Sequence, residues 1–462
     1  MTETHLSELN SIFTKDRVAT SPADLIEYGR DWVKYYDPKP QAIVFPKSTK
    51  EIVDLVKWAR KTKTALVPSG GRTGLSGGAV ALDGEVVVSF QKMNRILDLN
   101  PLDQTLTVES GVITETIQKH AEENGFYYPV DFASRGSSQI GGNVATNAGG
   151  IKVLRFGLTR QWVAGLEVVT GAGDVLHLGQ SLVKNATGYD LRHLMIGSEG
   201  TLGLITKVTL NLARNTAPPM LLALAVEDLS SVMKVYHQFK QNLPIMAFEM
   251  FTDLALTHVL AHHHDLKAPF SERHPYYLLV EIENLNPETE EKAMGQFEHG
   301  LEEGWVLDGI QAQTPAQARD LWRLREDISE ATSPHSPYKN DISVRISKVP
   351  EFLSEMDGIL RQQYPQFEAV WFGHIGDGNL HINILKPKDM SKDDFLKECH
   401  RVDKVMFEMI ERFGGSVSAE HGVGLTKKPY LHHSRSPAEI EIMRGIKKVF
   451  DPDGILNPGK VF

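Results

Sequence analysis

His374 and His381, with Glu420 and His421 further along, are the residues whose types and spacing point most directly to chemistry. The run Phe372-Gly373-His374-Ile375-Gly376-Asp377-Gly378-Asn379-Leu380-His381-Ile382-Asn383 reads as a β-hairpin. Asp377-Gly378 suits a two-residue type I′ turn, in which both central positions need positive φ. A turn centred there pairs Gly376 with Asn379, Ile375 with Leu380 and His374 with His381. Directly opposed Cβ atoms lie ~5 Å apart, so the two imidazoles meet. Asn383 lies two residues on and points the same way. Two facing histidines are half of a zinc site, which needs an oxygen donor to complete it. Ser418-Ala419-Glu420-His421-Gly422-Val423-Gly424 offers a carboxylate and another imidazole in a glycine-loosened loop. The blander readings of the histidines alone are a structural zinc or ordinary polar residues of a hairpin.

The rest of the chain must position these groups. Its 462 residues suggest two or three domains. Ordinary hydrophobic and charged fractions describe a globular protein with sizeable cores. The net charge of −10 argues against nucleic acid or an anionic membrane as the main partner, and requires a locally basic pocket for an anionic substrate. The lone cysteine, Cys399, excludes an internal disulfide and an iron–sulfur cluster held by this chain alone. It sits at helical spacing with Phe395, Val402 and Met406, as a buried structural thiol would. The N-terminus lacks a signal-peptide pattern and no apolar run reaches ~18 residues, so no transmembrane segment and a cytoplasmic location are expected.

The domain reading is an N-terminal helical segment at 1–39, a cofactor domain at 40–215, a substrate domain at 216–414 and a C-terminal segment at 415–462. Thr216-Ala217-Pro218-Pro219 reads as the linker. Strands are expected at Ala42–Phe45, Ala65–Val67, Val86–Phe90, Thr105–Val108, Gly165–Val169 and Leu204–Leu210. Ser48-Thr49-Lys50-Glu51 is a capping-box signature opening a helix to about Lys63. In the second half, helices are expected at 287–302, 322–332, 393–413 and 437–450. The fold class is α+β. His262-His263-His264-Asp265 resembles a metal run, but its polar surroundings favour a solvated loop.

Four small-residue segments gather in the first half. Pro68-Ser69-Gly70-Gly71-Arg72-Thr73-Gly74-Leu75-Ser76-Gly77-Gly78 follows a strand. Residues 139–150, 184–190 and 197–203 are the others. Glycines let backbone N–H groups converge on a diphosphate. The first segment lacks the Gly-Lys-Ser/Thr ending of a P-loop and the helix-opening G-x-G-x-x-G of a Rossmann unit. Together the segments imply backbone wrapped around a long ligand.

This set resembles the FAD-binding domain of the vanillyl-alcohol oxidase/p-cresol methylhydroxylase superfamily. Asp451-Pro452-Asp453-Gly454-Ile455-Leu456-Asn457-Pro458-Gly459-Lys460 is similar to that superfamily's C-terminal signature. The resemblance implies a two-subdomain FAD domain plus an α+β substrate domain with an antiparallel sheet. It implies that Pro68, Ser69, Gly70, Gly71, Arg72, Thr73, Gly74, Leu75 and Ser76 hold the pyrophosphate. Ser138, Ile140, Gly141, Gly142, Asn143, Ala145, Thr146, Gly149 and Gly150 would line the rest of the FAD, with Glu199, Gly200, Ile205 and Asn457. Some members attach FAD through His or Cys. Segment 68–78 has neither, so non-covalent FAD is expected.

Within the superfamily, His374, His381 and Glu420-His421 resemble the D-2-hydroxyacid dehydrogenase branch, and the wording Ser-Ala-Glu-His-Gly is most like its D-2-hydroxyglutarate dehydrogenases. The resemblance implies that His374, His381 and Glu420 hold a divalent metal, usually zinc, with manganese or iron as alternatives. A 2-hydroxy acid would chelate it. His421 would take the hydroxyl proton while C2 hydride passes to flavin N5. Asn383 would bind the substrate carboxylate.

Arg325 and Ser329 stand at i, i+4 and so share a helix face, and Lys339 lies in Tyr338-Lys339-Asn340-Asp341. They are similar to an Arg-x-x-x-Thr pair and a Tyr-Lys-Tyr-Asp segment of the hydroxyglutarate enzymes, with Ser329 for Thr and Asn340 for the second Tyr. Two cations suit a substrate with two carboxylates. The expected reaction is oxidation of D-2-hydroxyglutarate to 2-oxoglutarate. D-lactate, D-malate and glycolate are the alternatives within the branch, and a zinc hydrolase is the alternative from another class. Electrons would leave to an electron-transfer flavoprotein or a quinone-linked carrier, and a homodimer is compatible.

Overall fold

Ala42-Ile43-Val44 and Val86-Val87-Val88 are apolar on both faces, the pattern of strands covered from two sides. In the computed structural model, which describes residues 2–33, 35–179, 181–214 and 218–462, both are fully buried. Contacts divide the chain into two units. The first comprises 1–149, 157–215 and 420–462, the second 150–156 and 216–419. Thr216 and Ala217 of the expected linker lie outside the described residues.

The first unit holds two main sheets. β1 (Val18–Ala19), β2 (Ala42–Val44), β3 (Leu66–Ser69) and β4 (Val86–Ser89) form one in the order β1-β2-β4-β3, with β2 and β3 parallel to β4. β5 (Ile96–Asn100) and β6 (Thr105–Glu109) precede β7 (Phe126–Tyr127), β8 (Val163–Thr170), β9 (Val175–Leu178), β10 (Gly203–Asn211) and β11 (Ala213–Arg214). The second sheet is antiparallel, β5-β6-β10-β8-β9, while β7 pairs with β11. The helix Thr49–Thr62 starts where the capping signature expects it, the Ser48 side chain accepting the Glu51 N–H. Its Ile52, Leu55, Val56 and Ala59 are buried, the larger ones each contributing ~1.5–3 kcal/mol of apolar burial.

The second unit is built on β12 (Met220–Val226), β13 (Ile245–Thr252), β14 (Tyr276–Ile282), β15 (Asp308–Gln311), β16 (Tyr338–Ser343), β17 (Ala369–His374) and β18 (Asn379–Ile384). They form one antiparallel sheet in the order β15-β12-β14-β13-β17-β18-β16. Leu256, Leu324 and Ile328, from the helices beside it, pack with Phe251 and Phe372 of the sheet. The α+β expectation therefore holds. Cys399 is buried in the helix Lys392–Arg412, and burial pushes its thiol up to about 12.

Three expectations are corrected. The hairpin register is His374↔Asn379, Gly373↔Leu380 and Phe372↔His381, so the turn spans Ile375–Gly378 and only Gly378 there has positive φ, 83°. Tertiary hydrogen bonds hold this wider turn: Gly376 N–H donates to Phe248 O at 3.2 Å, Val344 N–H to Gly378 O at 3.1 Å, and Tyr236 Oη to Gly376 O at 2.9 Å. The slip of two in pairing leaves every side chain on its expected face. Second, the helix over 322–332 is two helices, Pro315–Glu326 and Ile328–Thr332. Asp327, with ψ 1°, ends the first while its carboxylate accepts from Arg323 Nε at 3.1 Å. Arg325 and Ser329 therefore do not share one continuous helical face. Third, part of the 139–150 segment is a helix, Ile140–Thr146, closed by left-handed Asn147. The run at 262–265 largely follows its expectation: His262 ends the helix Asp253–His262, and His263, His264 and Asp265 continue as an irregular, mostly exposed stretch in which His263 meets Arg323 and Asp327. His262, His263 and Glu330 stand close enough for a metal, but the Arg323 guanidinium 3.2 Å from His263 Nδ1 already supplies a cation there.

Candidate active site

In the first unit, three of the four glycine segments converge on one cavity. Its wall includes Pro68, Ser69, Gly70, Gly71, Arg72, Thr73, Gly74 and Ser76 from the turn after β3. Gly141, Gly142, Asn143, Ala145 and Thr146 come from the short helix, and Glu199, Gly200 and Ile205 from the approach to β10. Gly200 is required in its place: φ is 71°, and a Cβ there would stand 2.4 Å from Pro68 Cγ. Segment 184–190 is exposed and is absent from that wall. Leu75, Ser138, Ile140, Gly149, Gly150 and Asn457 are not on it either. Ile140 is in the core, Ser138 meets Thr114, and Gly150 belongs to the second unit. Asn457 ties the wall together from behind, its Nδ2 donating to Gly78 O and Glu199 O at 2.9 and 2.8 Å.

The cavity is built for a polar ligand. Asp31 Oδ2, Ser69 Oγ, Ser110 Oγ and Gln139 Oε1 line it, are buried, and have no hydrogen-bond partner within the protein. Unpaired buried polar atoms are costly, so a ligand that pairs them has a place here. Asp31, Ser110 and Gln139 escaped the sequence reading because no glycine pattern marks them. Burial pushes the Asp31 carboxyl up to about 6.

Glu199 performs a second task in the same unit. Its carboxylate accepts the Val423 and Gly424 N–H groups, both at 2.8 Å. Leu425 and Thr426 N–H donate to Ser76 O at 2.8 and 3.0 Å. The segment that begins with Glu420 and His421 is thus fastened to the cavity wall. Full burial outweighs the two N–H donors and raises the Glu199 carboxyl to about 7. His421 Nε2 lies 3.6 Å from Glu420 Oε1.

In the second unit, one face of the sheet gathers the polar residues. Alternation along β16, β17 and β18 puts Lys339, Asp341, His374, Asn379, His381 and Asn383 on that face. His374 and His381 are diagonal rather than opposite neighbours, yet their ring centroids are 5.4 Å apart. Both are buried. Glu249 on β13 places Oε1 2.7 Å from His374 Nδ1. A carboxylate accepts and does not donate, so His374 Nδ1 carries the proton and Nε2 is left as the donor atom for a metal. Asp341 Oδ1 lies 3.7 Å from His381 Nδ1, and also accepts from Asn379 Nδ2 at 2.8 Å. Glu249 thus stands behind His374 Nδ1, the arrangement that orients imidazole ligands of metals, and Asp341 stands at ion-pair distance from His381. Asp341 Oδ2 accepts the Ala419 N–H at 3.2 Å. Glu249 and Asp341 are functional candidates that sequence reading missed, because they are distant in sequence from the histidines.

Arg325 joins this face. Its Nη2 lies 2.8 Å from Glu249 Oε2, and its guanidinium stacks over Phe372 at 4.8 Å. The N–H vectors do not align with the Glu249 oxygen. Arg325 Nε and Nη2 remain buried donors without a hydrogen bond. Asn383 Nδ2 donates to Thr332 Oγ1 at 3.4 Å, which places a hydroxyl beside Asn383. Burial pushes the Lys339 ammonium below its usual range. In the turn, burial raises the Asp377 carboxyl to about 6, with His374 pulling the other way.

Comparison with known proteins agrees with both halves. Residues 40–179 match the FAD binding domain family, and residues 219–461 match FAD linked oxidases, C-terminal domain. A protein of Stutzerimonas stutzeri named D-2-hydroxyglutarate dehydrogenase is 55% identical over 457 residues, covering 99% of this chain and 98% of that one. One of the same name from Xanthomonas citri is 53% identical, covering 100% and 98%. The mitochondrial protein of that name from Arabidopsis thaliana is 35% identical, covering 99% and 80%. Among solved structures, p-cresol methylhydroxylase superposes with a TM-score of 0.78 at 15% identity, covering 100% of this chain and 97% of that one, a likeness of fold.

Proposed function

The chain belongs to the FAD-linked oxidases, and from that premise we propose that it oxidises D-2-hydroxyglutarate to 2-oxoglutarate with FAD and a divalent cation. The observation that carries the substrate class is the pair of cationic side chains, buried Arg325 and partly buried Lys339, beside a histidine pair. Relatives more than half identical bear the hydroxyglutarate name, which supports the same choice.

The bound groups supply a two-electron acceptor at the flavin and a Lewis acid at the cation. The protein's own residues do the rest. His374 and His381 offer their Nε2 atoms, and Glu420 is the third donor. Asp341 holds the backbone of Ala419, and Glu420 is the next residue, one Cα step of ~3.8 Å away. This covalent tether supports the choice of Glu420. His421 takes the substrate hydroxyl proton. Arg325 and Lys339 hold the substrate carboxylates, and Asn383 with Thr332 fixes the near end. Among the described residues no His or Cys lies on the glycine-lined wall, which favours FAD held without a covalent bond. Zinc is the first choice for an N/N/O donor set, with manganese and iron as the other ions it accepts. A zinc hydrolase would leave the cavity of the first unit without a use.

The test is anaerobic flavin bleaching on the purified protein with D-2-hydroxyglutarate, D-lactate, D-malate and glycolate, each with and without a chelator. The hydroxyglutarate is expected to bleach fastest and the chelator to stop it. Faster bleaching by D-lactate or glycolate overturns the substrate assignment. His421→Ala is expected to slow bleaching by ~10²–10⁴-fold, the usual size of a lost acid–base group, while flavin content stays normal.

A further inference from the structure

Glu249 is 1% exposed in the middle of the sheet and meets two residues at once. Oε1 is 2.7 Å from His374 Nδ1, and Oε2 is 2.8 Å from Arg325 Nη2. Burying a carboxylate is costly unless its oxygens are paired, and here both partners belong to the proposed substrate site. The reading of the preceding subsection gives His374 to the cation and Arg325 to a substrate carboxylate. We propose that Glu249 is a positioning residue shared by these two functions: it fixes the His374 ring so that Nε2 is the donor atom, and it anchors Arg325 beside it. The inference rests on that reading of the site.

The chemistry of the pair explains why one side chain suffices. The His374 Nδ1–H requires an acceptor and the Arg325 guanidinium a counter-charge, and one carboxylate supplies both. The Arg325 N–H groups are not consumed by this contact: Nε and Nη2 make no hydrogen bond within the protein and stay buried. Phe372 covers the other side of the guanidinium at 4.8 Å. Glu249 thus balances the charge of Arg325 and restrains it without using up its donors, which remain for a carboxylate ligand. The arrangement couples the seat of the cation to the seat of the substrate carboxylate through a single side chain.

Glutamine cannot replace it, because an amide has one acceptor oxygen and an NH₂ that would face either the Arg325 guanidinium or the His374 Nδ1–H, donor against donor. The experiment uses full-length protein carrying FAD and zinc. In Glu249→Gln, zinc retention against a chelator is expected to be ~10–100-fold weaker than in wild type. KM for D-2-hydroxyglutarate is expected to rise about tenfold through Arg325, with flavin content unchanged. A merely structural Glu249 would lower the melting temperature and leave zinc retention and KM alone. Glu249→Met combined with Arg325→Met replaces the buried ion pair with apolar groups, a change that folds often tolerate. It should still lose zinc, since His374 has lost its acceptor. Wild-type zinc retention in whichever of the two variants folds overturns the inference, as does an unchanged KM in a folded Glu249→Gln protein. If neither folds, the ring tautomer of His374 in the zinc-loaded wild type decides by nitrogen NMR: Nδ1–H is expected, and Nε2–H overturns the proposal. Failure of wild type to bleach with any 2-hydroxy acid would sink the reading of function instead, and the zinc measurements would still judge the hold of Glu249 on His374.

Discussion

At the scale of residues, the substrate half of the site is a set of buried charges, each with its own counter-group. Glu249 answers His374 and Arg325, and Asp341 answers His381. Lys339 stands apart in being pushed toward its neutral form by burial. A bound carboxylate would oppose that shift, so the residue should report on substrate. Lys339→Ala is expected to raise KM for D-2-hydroxyglutarate about tenfold or more, the cost of a charged hydrogen bond. KM for D-lactate, with no second carboxylate, should change little, and equal losses for the two acids would remove the distal-carboxylate role. His381→Ala should lose zinc on gel filtration while retaining FAD, as metal and flavin analysis would read. The sequence made the histidines, Arg325 and Lys339 visible because their types are rare in such settings. Glu249, Asp341 and Thr332 look like ordinary strand and helix residues, and only their neighbours give them meaning.

At the scale of elements, the hairpin and the segment after Ala419 carry the argument. The hairpin's Asp-Gly signal was legible, but Phe248, Val344 and Tyr236 captured a four-residue turn that local propensity did not favour. Since side chains alternate, a shift of two in pairing costs the site nothing, whereas a shift of one would have put the two histidines on opposite faces of the sheet. The helix break at Asp327 was illegible because Arg323 and His263 reach that residue from other turns and another helix. On the cofactor side, Gly200→Ala is expected to destabilise by about 1–2 kcal/mol for the left-handed backbone alone, and more from the Pro68 clash. Purified protein should hold less flavin. Glu199 makes a pH prediction. Its folded value of about 7 lies above the ordinary 4.5 of a glutamate, so the folded state binds the proton more tightly. Its contribution is fully present below pH 4.5 and is lost as pH rises toward 7, a swing on the order of 3 kcal/mol. Glu199→Gln should remove that slope from apoprotein melting curves taken across this window, and an unchanged slope would refute the assignment.

At the scale of the whole molecule, two units of different construction each supply what the other lacks. The first has a glycine-lined cavity with unpaired polar atoms, and the second a sheet face with a histidine pair, the buried Arg325 and the partly buried Lys339. Among the described residues no helix is long and apolar enough to cross a membrane. A flavin held by backbone and side-chain hydrogen bonds should leave on acid precipitation, with all the yellow colour in the supernatant; colour retained in the pellet would contradict it. Ligands that bind only the folded state should also raise stability, by ~2.7 kcal/mol at a hundred times Kd. Removing zinc with a chelator is therefore expected to lower the melting temperature as well as activity. The sequence by itself determined the α+β class, the glycine segments and the chemical types at the site, because periodicity, turn residues and side-chain chemistry are local properties. Only the tertiary structure decided that segment 184–190 stays off the cavity wall, that the histidines meet diagonally, and that Glu249 and Asp341 stand behind them. Those facts depend on which distant strands become neighbours, and that is settled by packing across the sheet rather than by any short run of residues.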